Sequence, residues 1–191
     1  MSHQAPLPSF TAFLGFKRLA AGPLSEVALA AKRAIDRGTQ QTVFIFNDRS
    51  GRAIDVDSRG SDSEILARLA RPIPELAPRG RGRPKLGVVA REVTLLPKHW
   101  QWLASQPGGA SVAIRKLVEA AGRAHEATDL RRERHEAAYQ FMLSLAGNLA
   151  NFDAATRALF ADQRQPFEEL IASWPADVRE HAVKLAFLSN F

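Results

Sequence analysis

A chain of 191 residues allows one large domain or two small ones with a connector, and 46% hydrophobic with 24% charged residues is an ordinary composition for a folded protein. The absence of Cys excludes disulfides and thiolate metal sites, and no apolar run approaches the roughly 20 residues needed to cross a bilayer. A net charge of +6 favours acidic partners such as nucleic acid; Met1 to Pro8 lacks a positive segment followed by an apolar core, so no signal peptide and a cytoplasmic location are expected.

Taken in order, Phe10, Ala12, Leu14 and Phe16 alternate with Thr11, Phe13 and Gly15 as a strand, and Lys17 to Ala21 reads as its hairpin partner. Gly22-Pro23 opens a helix with Leu24, Val27, Ala28, Ala31 and Ile35 on one face, ended by Gly38. Thr42 to Phe46 is an apolar strand, Asp48-Arg49-Ser50-Gly51 is turn chemistry, and Arg52 to Asp57 returns with Ile54 and Val56 inward. Ser63 is expected to cap a helix from Glu64 to Ala70, so residues 1–70 read as a small ββαββα domain with an antiparallel sheet. Asp55 and Asp57 would share a strand face with Asp48 across the turn. Paired carboxylates can hold a metal or exchange protons, but the wet face of a half-buried strand explains the same residues.

Arg71 to Pro78 has three Pro in eight residues and reads as a stiff linker. Residues 79–98 then hold six Lys or Arg against one Glu, a net +5. In Arg79-Gly80-Arg81-Gly82-Arg83-Pro84-Lys85 the glycines and the proline rule out a helix and allow a narrow, extended, cationic arm, the shape that enters an A·T-rich minor groove. Gly80 to Lys85 resembles the AT-hook, a resemblance that places Arg81 and Arg83 along the groove floor, with Arg79, Gly82, Pro84 and Lys85 completing the arm.

Val93 and Leu95 alternate with Glu92 and Thr94 as a short strand, and Pro97 starts a helix to about Gln106 with Trp100, Leu103 and Ala104 on one face. Pro107-Gly108-Gly109 breaks it. Ser111 is a plausible N-cap for a second helix carrying Ile114, Leu117, Val118 and Ala121, with Gly122 as its end. Some 35 residues are too few to close a core of their own.

Residues 88–122 resemble a ribbon-helix-helix domain, which implies an obligate homodimer whose antiparallel ribbon enters the major groove. The resemblance puts Val93, Leu95, Trp100, Leu103, Ile114, Leu117 and Val118 in the dimer core and Ser111 at a phosphate. Two registers remain open for the ribbon: Glu92, Thr94 and Leu96 outward, or Arg91, Val93 and Leu95. Arg91 and Thr94 are thus the polar ribbon candidates, with Arg115 and Lys116 adding backbone contacts.

Residues 123–191 read as an all-helical bundle: Glu126 to about Leu149, Asp153 to about Ala161, a stripe of Phe167, Leu170, Ile171 and Trp174, and a last helix from Pro175 with Val178, Ala182 and Leu185 inward. His125, His135 and His181 have no metal-ligand spacing, and no nucleophile elbow, Walker loop or dinucleotide fingerprint is present, so neither an enzyme nor a cofactor nor a metal is expected.

Phe10-Thr11-Ala12-Phe13, Gly22 to Lys32, Arg81 to Pro97 and Trp174 to Arg179 together resemble the bacterial family called domain of unknown function 2239, over almost the whole chain. The fold expected is α+β in four parts: residues 1–70, the linker and arm 71–87, the ribbon-helix-helix-like unit 88–122 and the helical region 123–191. The function expected is a dimeric DNA-binding regulator or nucleoid-type factor, nucleoid-associated if so, with double-stranded A·T-rich DNA as partner and a protein partner possible through either outer domain. The alternative is a dimeric interaction, scaffold or antitoxin-like module.

Overall fold

A computed structural model describes residues 9–70, 89 and 91–188. The fold is mixed α and β and mostly helical, with one four-stranded antiparallel sheet. The described residues divide into two compact units, one of residues 9–70 and 128–188, the other of 89 and 91–127.

The first unit is built on strands β1 (Phe10–Leu14), β2 (Lys17–Gly22), β3 (Val43–Asn47) and β4 (Ala53–Ile54) in the order β2-β1-β3-β4. The register sets Ala12 opposite Ile45, and Thr11 and Phe13 opposite Phe46 and Phe44. Side chains alternate across a strand, so the sheet has two apolar faces rather than one. Helix α1 (Leu24–Asp36) covers the face of Phe10, Ala12 and Ile45 with Val27 and Ala31. Phe13 and Phe46 on the other face meet Phe141 at ring separations of 5.3 and 5.0 Å.

Phe141 lies on α4 (Gly109–Ala146), and the same core takes in α5 (Phe152–Phe160), α6 (Arg164–Leu170), α7 (Ala176–Val183) and a π-helical turn (Lys184–Leu188). Residues 1–70 and the C-terminal helices, expected as separate domains, therefore share one core. The cause is visible in β3, where Val43-Phe44-Ile45-Phe46 has no polar residue to turn toward water. Gly51, in the β3–β4 turn with φ +66°, lies so close to α4 that a Cβ there would stand 1.7 Å from the Ala137 carbonyl oxygen.

Several local expectations shift. Helix α2 (Asp62–Leu69) is capped by Ser61, not Ser63: Ser61 Oγ accepts from the Glu64 amide, and the Glu64 carboxylate accepts from the Ser61 amide at 2.7 Å. Ile35, expected inward, is exposed, and Ala34 takes the inner position. The helix expected to end at Gly122 continues to Ala146, 38 residues in all, since one glycine costs a helix only about 1 kcal/mol. It starts at Gly109, which puts Ser111 inside the first turn and not at the cap. Asn151 (φ 63°), rather than Asp153, precedes α5.

Candidate functional site

In the second unit Pro97 occupies the first position of α3 (Pro97–Ala104), where its missing N–H costs nothing. The helix stops at Ser105, the chain turns through Gly108 at φ +87°, and α4 begins. Ahead of α3, residues 91–96 have no strand partner among the described residues, although a strand is expected there.

Between this unpaired segment and the two helices runs a groove of about 400 Å³. Val93 and Leu95 line it from the segment, His99, Trp102 and Leu103 from α3, and Ile114, Leu117 and Val118 from α4. Leu103 and Ala113 are the only buried apolar residues of this unit among those described; Val93, Trp102, Leu117 and Val118 are each more than half exposed. Six of the seven residues expected in a dimer core thus line one groove. Trp100, the seventh, does not, because α3 turns His99, Trp102 and Leu103 inward instead of Trp100, Leu103 and Ala104. Trp102, which was not among the expected residues, enters the groove through this rotation.

With Val93 and Leu95 on the groove side, alternation leaves Glu92, Thr94 and Leu96 facing away from it. Arg91, Thr94, Ser111, Arg115 and Lys116 are all exposed, and Arg115 Nε donates to the Ser111 carbonyl at 3.2 Å, folding back over the first turn of α4. Arg79, Arg81, Gly82, Arg83, Pro84 and Lys85 lie outside the described residues.

The first unit contains a polar cluster that sequence spacing did not reveal. Asp48 is 2% exposed; it accepts from Thr11 Oγ1 at 2.8 Å and from Lys184 Nζ at 3.1 Å. His181, wedged between Phe13 and Phe141, brings Nε2 to 3.6 Å from Asp48 Oδ1, beyond hydrogen-bond range, and neither ring nitrogen has a hydrogen-bond partner. Burial pushes its pKa down to about 4, the Asp48 charge opposing and those of Lys184 and Arg18 assisting. Thr11 is fully buried, so its hydroxyl has no access to a substrate and the cluster ties β1 and β3 to α7.

The expected carboxylate face is not assembled. β4 ends at Ile54, leaving Asp55 and Asp57 exposed beyond it, while Asp48 turns inward. Arg59 beside Asp57 holds that carboxyl below its usual range. His135 is a second buried histidine, its Nε2 3.2 Å from Asp162 Oδ1 but without hydrogen-bond geometry; burial lowers its pKa against the pull of that carboxylate. Among the described residues no group of three or more His, Asp or Glu is placed to hold a metal ion, and no helix is long and apolar enough to cross a membrane.

A family model described as an uncharacterised protein conserved in bacteria, domain of unknown function 2239, matches residues 9–186. The chain belongs to this family. The match takes in residues of both units, so groove and polar cluster both lie within the family's span. No curated protein and no solved structure matches the chain.

Proposed function

We propose that this is a dimeric bacterial DNA-binding protein of ribbon-helix-helix type, with an Arg-Gly-Arg-Pro arm for an A·T-rich minor groove. One observation carries the reading: a segment without a strand partner among the described residues, 91–96, leads into two helices whose apolar faces no other described residue covers. A second copy brought antiparallel supplies what each copy lacks, a partner for the ribbon amides and a lid for Val93, Leu95, Trp102, Leu117 and Val118. The net +5 of residues 79–98 then stands twice on one dimer, and two linked arms gain from effective concentration.

The outward ribbon residues favour a reading in which affinity comes from charge rather than from base recognition. Glu92 repels phosphate and Thr94 reaches little, whereas Arg81 and Arg83 are suited to the negative potential of a narrow minor groove. A nucleoid-type role fits this distribution better than recognition of one operator. The same two residues lend weight to a second reading, a dimeric scaffold that contacts no DNA.

Fluorescence anisotropy of an A·T-rich duplex across a salt series separates the two. The DNA reading expects log K to fall with log salt by about 0.9 per phosphate neutralised, and a slope smaller by about 1.8 per arm in Arg81→Ala/Arg83→Ala. Equal, weak binding by wild type and variant leaves only the scaffold.

A further inference from the structure

In the sheet-bearing unit, the face under α1 is closed unevenly. α1 lays Val27, Ala28, Ala31 and Ala34 on the sheet, and toward β4 it offers Ala28, Ala31 and the half-exposed Ile35 opposite Ile45 and Ile54. These side chains do not fill that space, and a cleft of about 180 Å³ remains, the bulk of roughly six liquid waters. The side chains lining it are apolar except for Asp55 and Ser58, which stand where the chain leaves β4.

The charge at this cleft is one-sided. Asp55 is the only charged residue lining the cleft among the described residues, and four nearby cations are engaged elsewhere: Lys32 with Asp36, Arg33 with Asp62, Arg59 and Arg68 with Asp57. An anion entering here meets an uncompensated carboxylate. A metal ion finds too few oxygens among the alkyl side chains. A neutral alkane gains nothing from Asp55 and Ser58, and the volume excludes a drug-sized molecule.

We propose that this cleft binds a small organic cation, an ammonium group held by the Asp55 carboxylate and the Ser58 hydroxyl, with a short branched alkyl body over Ala28, Ala31, Ile45 and Ile54. The site belongs to the unit that carries the sheet and stands whether or not the protein binds DNA.

Three probes of one shape test it on the full-length protein by ¹⁵N and methyl NMR titration: isopentylamine, isopentanol and isovalerate. The amine is expected to shift the resonances of Ala28, Ala31, Ile45 and Ile54 and to bind about tenfold more tightly than the alcohol, the gain of one charge-assisted contact, with the carboxylate weakest. Asp55→Asn, at an exposed position that leaves folding intact, is expected to erase the difference between amine and alcohol. Ala31→Leu, which fills the hollow, is expected to abolish both. Isovalerate binding as well as the amine, or an amine affinity unchanged in Asp55→Asn, overturns the proposal; should Ala31→Leu fail to fold, the Asp55→Asn titration still decides.

Discussion

In the sheet-bearing unit Phe13, Phe46 and Phe141 meet ring to ring in full burial, and even the polar groups Asp48 and His181 are taken out of water. In the unit of residues 91–127, Leu103 and Ala113 are the only buried apolar side chains among those described, while Trp102, Leu117 and Val118 stand in solvent. Both units draw on amphipathic helices of similar composition. What separates them is surface to bury against: a sheet with two apolar faces offers helices a seat on each side, whereas a pair of helices and a lone extended segment offer each other one shallow groove. The first unit buries its aromatic core within one copy of the chain, and the second leaves apolar surface exposed among its described residues.

The largest effect expected on the first unit comes from Phe141→Ala, which empties the centre of the aromatic cluster. A loss of about 3–5 kcal/mol in chemical denaturation is expected. Asp48→Ala should follow at about 2 kcal/mol, since it strips the buried Thr11 hydroxyl of its acceptor. If Asp48→Ala is neutral, the cluster is not what ties the strands to α7.

The pH dependence follows from the buried imidazoles. His181 titrates at about 4 in the folded chain against 6.5 when unfolded, so between those values the unfolded state binds the extra proton. Stability is therefore full above pH 6.5 and falls as pH drops toward 4. His135, also shifted down by burial, adds to the loss in the same direction. The variant His181→Leu should flatten the curve of unfolding free energy against pH over this window, and an unchanged curve would assign the acid sensitivity elsewhere.

Smaller still, Ser61→Ala should cost about 1 kcal/mol through loss of the α2 capping box. At the bottom of the scale, Leu117→Asp should leave the thermal unfolding of the first unit within about 0.5 kcal/mol of wild type while shifting the sedimentation profile toward monomer. That pair of results would sharpen the contrast between the units most. A large drop in stability with no change of mass would break it.

Periodicity located the elements of the first seventy residues to within a residue or two over most of their length, because hairpin turns, Pro23 at the start of α1 and the α1 stripe are signals carried by neighbours in sequence. Six groove residues were readable the same way, from the i, i+3, i+4 pattern of α4, the alternation of Val93 and Leu95, and Leu103 on α3. The rotation of α3 that admits Trp102 and excludes Trp100 was not, since three apolar or aromatic residues in four leave the inward face to be chosen by what the helix meets. Asp48 is separated from His181 and Lys184 by more than 130 residues, and no spacing rule relates it to them.

From the residues alone come the segment boundaries, the concentration of positive charge in residues 79–98, and the small size of the segment 88–122, too short to close a core of its own. Tertiary structure decided the rest: that the C-terminal helices close over the second face of the sheet, that an aspartate of a surface-like turn is buried beside a histidine, and that two alanines leave a cleft beneath α1. Local pattern records which side of a segment avoids water. Which other segment covers that side depends on chain closure over long separations, and that is settled only when all the apolar faces compete for one another at once.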